Sequence, residues 1–127
     1  MACFWNSVII SLQRINLLNT NMTPKLLSSF LRQNNMNTPS IKWNDNYLFT
    51  QELDENFQYV ENYDYNLVGQ YHPGGASDPF LFLVASIFNV DIVCTILHNT
   101  KVSYMHDCYD QLRPILYFNI SDCHFSI

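Results

Sequence analysis

The chain has 127 residues, 48% hydrophobic and 15% aromatic, which fits one folded domain and excludes a disordered chain. Eleven acidic side chains against six basic ones give a net charge of −5 with no basic run, which argues against a nucleic-acid-binding face. The longest apolar run, PFLFLVASIF, is too short to span a bilayer, so no membrane association of this domain is expected.

In chain order, Phe4 to Leu18 reads as a helix, with Val8, Ile9, Leu12 and Ile15 on one face. Thr23-Pro24 reads as a cap and first turn for a second helix over Lys25 to Gln33. NNMNTPSIKWNDN reads as a loop from its Asn and Pro content. Thr50 can cap a third helix, with Glu52 near its positive end and Leu53, Phe57 and Val60 on one face. YHPGGASDP reads as a loop that ends in a further cap and proline, and Phe80 to Phe88 follows as a central helix, apolar on most sides. VDIVCTIL and KVSYMH read as a hairpin turned at HNT, with PILYFNI and CHFSI as two more strands. The predicted class is α+β, a single domain over residues 1–127 with helices first and a small antiparallel sheet after them.

MACFWNSVII lacks the flanks of a signal peptide. Cys3, Cys94, Cys108 and Cys123 form no CxxC pair, which points to a reducing, intracellular compartment. Cys3 falls where the first helix begins. Amides and the positive end of a helix dipole stabilise a thiolate there, and the same amides can hold an oxyanion. A buried, inert thiol is the commoner role for a cysteine. His124, late in the chain on a short strand, is a candidate general base. His72, His98 and His106 compete for that role, and spacing does not select among them. A zinc site from His106, Cys108, Cys123 and His124 is the main rival, but the ligand spacing matches no standard zinc motif, so neither metal nor cofactor is expected.

Three blocks carry a family resemblance. ACFWNSVIISL resembles the nucleophile motif of ovarian-tumour (OTU) type proteases, in which Cys is followed by an apolar or aromatic pair, a polar residue and Ser. SDPFLFLVASIFNVDIVCTIL resembles the helix and strand that follow in that family, and PILYFNISDCHFSI its closing strand, turn and His-aromatic pair. The order is the family's, and the blocks cover roughly half the chain. The small, Asn-rich chain is most similar to viral members, such as the nairovirus OTU and nidovirus papain-like proteases.

The resemblance implies a papain-like/OTU-type fold and a thiol protease or isopeptidase, monomeric and working in the host cell cytoplasm. Cys3 would be the nucleophile and His124 the base. The implied substrate is ubiquitin or a ubiquitin-like modifier, cut after its C-terminal Gly-Gly, with a viral polyprotein as a further possible substrate. Many members carry Asp or Asn two residues after the His, where this chain has Ser126. Ser126 is therefore the candidate orienting residue, with Asp122 and Asn119 as alternatives. Trp5, Trp43 and Phe125 are candidates to wall a slot for the glycines, and Glu55, Glu61 and Asp64 to meet the basic tail upstream. The rival reading is a weak or inactive ubiquitin-binding module of the same fold.

Overall fold

The computed structural model describes residues 3–68, 78–108, 112–121 and 124–127, and only the backbone of residues 67 and 68. Its elements are α1 (Cys3–Arg14), α2 (Pro24–Gln33), β1 (Ile41–Trp43), α3 (Thr50–Asn62), α4 (Tyr65–Val68), α5 (Pro79–Phe88), β2 (Asp91–Thr95), β3 (Lys101–His106), β4 (Ile115–Ser121) and β5 (His124–Ser126). The class is α+β. Most of the YHPGGASDP loop lies outside the described residues.

Local signals set the helix ends. Thr23 caps α2 by accepting from the Leu26 amide at 3.2 Å, with Pro24 in the first turn. α1 stops at Arg14, short of the predicted Leu18. Asn16 adopts φ 62°, its amide bonds the Gln13 carbonyl at 3.0 Å, and the Leu17 amide reaches back to Leu12 at 2.9 Å. That is a Schellman ending, in which Asn tolerates the left-handed φ that β-branched residues resist. Asn89, at φ 54° and ψ 52°, ends α5, and the Val90 amide bonds Ala85 at 3.1 Å. For α3, Glu52 accepts from the Phe49 amide at 2.9 Å, so Phe49 rather than Thr50 occupies the cap position.

Asp78 is the most consequential cap. It is buried, accepts from the Phe80 amide at 2.9 Å and the Leu81 amide at 3.2 Å, and its own amide donates to the Tyr104 hydroxyl at 3.1 Å. It thereby ties the start of α5 to the middle of β3. Asp78→Ala is expected to destabilise the fold by about 2 kcal/mol, since cap loss is compounded by unpaired buried donors. Chemical denaturation checks this; a change below about 0.5 kcal/mol would remove Asp78 from that role.

The sheet order is β1-β3-β2-β4-β5, and the sheet is mixed rather than antiparallel. β2 and β3 form the predicted hairpin, but β4 runs parallel to β2, with Asp91 opposite Ile115. The Asp91 amide donates to the Pro114 carbonyl at 3.0 Å, so β4 starts at the end of the sheet where β2 starts. β5 then folds back antiparallel on β4, with Ser121 opposite His124.

The helices-then-sheet order also fails at β1, which lies between α2 and α3 where a loop was predicted. Ile41–Trp43 pairs with β3, and Asn44 and Asp45 take φ 49° and 65°, the two positive values a type I′ turn requires. The Asn44 side chain accepts from the Ser103 amide at 2.9 Å and extends the ladder past the strand's end.

Alternation along the strands puts Ile41, Ile92, Cys94, Val102, Tyr104, Leu116, Phe118 and Phe125 in one buried layer. α5 covers β1, β2 and β3, α1 covers β5, and α2 and α3 pack on α5. α5 is central as predicted, with Phe80 to Ala85 all buried. Among the described residues no helix is long and apolar enough to cross a membrane.

Candidate active site

Cys3 opens α1 and is half-buried against the core. Cys3, Ser7 and Ser11 recur every four residues and share one helix face. That face meets β5. The Ser7 hydroxyl donates to the Phe125 carbonyl at 3.2 Å, and the Phe4 and Phe125 rings meet edge-on with centroids 4.9 Å apart. The residue after Cys3 thus touches the residue after His124. The two ends of the chain meet at one corner of the molecule, where β5 is the sheet's outer strand.

His124 is the first residue of β5 and is exposed. Alternation directs Phe125 toward α1, and His124 and Ser126 toward the open face of the sheet. Among the described residues no hydrogen bond joins His124 to Cys3. The register puts Asn119 directly opposite Ser126, on the same face as His124 and diagonal to it. Of the described orienting candidates, Ser126 thus shares the strand and face of His124, and Asn119 shares that face diagonally across the pair. Asp122 and Cys123 lie outside the described residues, as does His72.

The other two described histidines lie on other elements. His106 shares a 2.9 Å hydrogen bond between Nε2 and the Ala85 carbonyl, and its amide donates to Asp91 at 2.9 Å. His98 lies in the β2–β3 turn at φ 60°. Burial pushes the Cys94 thiol up to about 12, so it stays protonated and unreactive at neutral pH. Cys108 is exposed, and its carbonyl accepts from Arg113 at 2.7 Å. Among the described residues no three His, Cys, Asp or Glu side chains gather to hold a metal.

The candidate slot residues divide. Trp5 is 0% exposed; its indole N–H donates to the Tyr63 hydroxyl at 3.3 Å, and its ring packs on Phe4, Tyr63 and Phe80. Trp5 is thus a core residue, and contact with a substrate would require that packing to open. Phe125 is buried too, against Phe4 and Phe118. Trp43 is half-buried at the opposite edge of the sheet from β5. Glu55 is exposed and accepts from Gln51 at 3.2 Å. Glu61 accepts from Asn35 at 3.2 Å, and Asp64 caps α4 by accepting from the Asn66 amide at 2.9 Å. Both of these carboxylates already hold local structure.

The sequence pattern alone gives Ser7 no role. Its spacing from Cys3 was a usable signal, since residues four apart on a helix face the same neighbour. Comparison with protein-family models, with curated proteins and with solved structures found no match for this chain.

Proposed function

We propose that this domain is a papain-like/OTU-type thiol hydrolase, with Cys3 as nucleophile and His124 as general base. The observation that carries the reading is the docking of β5 along the Cys3 face of α1, through the Phe4–Phe125 contact and the Ser7 bond. A nucleophile and a base from opposite ends of the chain need such a junction. His124 begins an edge strand, so among the described residues no further strand lies in the way of a swing of its imidazole around β5 toward the sulfur. Catalytic hydrogen bonds are often long before substrate binds.

In this mechanism the Cys3 sulfur attacks a carbonyl while His124 takes the thiol proton. The first amides of α1 hold the oxyanion. His124 then protonates the leaving amine, and water hydrolyses the thioester. The substrate class is the Gly-Gly tail of ubiquitin or a ubiquitin-like modifier, whose basic residues suit a domain of net charge −5. A viral polyprotein with a similar cleavage site is a second substrate of the same chemistry. The test is release of a fluorophore from an amide at the ubiquitin C-terminus. Turnover by the wild-type chain supports the reading, and none at high enzyme concentration sinks it.

The outward direction of His124 favours a second reading, a module that binds ubiquitin without cutting it. Saturable ubiquitin binding without turnover would select it.

For the orienting group, Asn119→Ala and Ser126→Ala are each expected to lower the rate by tenfold or less, since one neutral hydrogen bond is worth about 1 kcal/mol. Steady-state kinetics of both variants checks this. A hundredfold loss in either would make that residue indispensable, a larger effect than a neutral partner supplies.

A further inference from the structure

We propose that Ser7 is a positioning residue for the dyad, holding the base strand in register with the nucleophile helix; this rests on the Cys3–His124 reading above. A serine inside a helix ordinarily turns its hydroxyl back to a carbonyl of its own preceding turn, which for Ser7 includes that of Cys3. Ser7 instead donates across the core to the Phe125 carbonyl at 3.2 Å, a bond between residues 118 apart in sequence. Both partners are buried, with Ser7 7% and Phe125 8% exposed.

The location gives this bond its leverage. β5 is only three residues long and, among the described residues, pairs with a strand on one side alone. Its ladder to β4 fixes how it lies beside that strand but leaves its outer edge unpaired. The carbonyl that Ser7 binds belongs to the residue next to His124, and Ser7 lies one helical turn below Cys3 on the same face. The Phe4–Phe125 contact is apolar and can slide; a hydroxyl-to-carbonyl bond fixes a register. Removing the hydroxyl leaves the contact surface and frees the strand to shift along it. A small misplacement of a base relative to its nucleophile is costly in rate.

The test compares Ser7→Thr with Ser7→Val, which add nearly the same volume and differ in the hydroxyl. Cleavage of the ubiquitin amide and alkylation of Cys3 by iodoacetamide, mapped by mass spectrometry, are read on both. Ser7→Thr is expected to stay within about threefold of wild type, and Ser7→Val to lose about tenfold in kcat with KM unchanged and Cys3 alkylation slowed in parallel. Equal kinetics in the two variants would overturn the proposal while leaving the dyad standing. Should neither larger side chain fold, Ser7→Ala serves: a similar fall in kcat supports the role, and an unchanged kcat overturns it. Wild-type Cys3 that alkylates no faster than Cys3 in His124→Ala would overturn the dyad itself, and this proposal with it.

Discussion

Cys3→Ala is expected to abolish cleavage of a ubiquitin C-terminal amide, lowering kcat by roughly four orders of magnitude or more, with the fold intact. The size of the effect follows from covalent chemistry, because without the sulfur there is no acyl-enzyme to form. The fold should survive because Cys3 lies at the rim of the core, only half-buried, and the change removes one polarisable atom. His124→Ala should cost nearly as much in kcat with as little effect on melting, since His124 is exposed. If nucleophile and base act as a unit, the double variant should be no slower than the worse single one. Activity kept in Cys3→Ala but lost in Cys108→Ser would move the chemistry to the other end of the sheet.

The second large effect is on stability. Trp5→Ala should destabilise the domain by about 3–5 kcal/mol, a large share of the total for a domain of this size. Trp5 is among the largest fully buried side chains, and the rings of Phe4, Tyr63 and Phe80 pack against it. The melting temperature should fall by roughly 10–20 °C. Trp5→Phe keeps most of the packing but loses the bond to Tyr63, and should cost about 1–2 kcal/mol with KM for ubiquitin unchanged. A Trp5→Phe protein of wild-type stability but weakened KM would instead return Trp5 to the substrate slot. Thermal melts and steady-state kinetics on the same samples separate the two outcomes.

Where a local rule governs, the sequence was a sufficient guide. Thr23-Pro24 and Asp78-Pro79 start helices because a short polar side chain accepts from first-turn amides and a proline at the first helical position has no amide to leave unpaired. The β2–β3 hairpin follows from two β-branched runs around HNT. What was not legible depends on distant pairing. β1 has three residues, too few for a period, and exists because β3 offers it an edge. The parallel β2–β4 pairing is set by how the chain returns after β3. Asn44-Asp45 was an overlooked local cue, since a pair tolerant of positive φ after IKW marks a turn.

The candidate site divides in the same way. Cys3 at a helix start was readable from composition and periodicity. That its helix lies against the strand of His124 was not, because a contact between chain ends leaves no trace in spacing. Nor was the direction of the imidazole, since a strand's register decides which alternate residues face the helix. The burial of Trp5 on α1 and Phe125 on β5 depends likewise on which neighbours the fold brings to each face. An aromatic beside a nucleophile reads equally as slot wall or core until its neighbours are known.

Covalent capture decides whether Cys3 is a nucleophile served by His124 at a ubiquitin-recognising site. Ubiquitin bearing an electrophile in place of its C-terminal carboxylate is incubated with the chain, and the modified residue is identified by mass spectrometry. A one-to-one adduct on Cys3 is expected, absent in Cys3→Ala and strongly slowed in His124→Ala. No adduct despite measurable ubiquitin binding, or an adduct on Cys108 with Cys3 unmodified, would contradict that role.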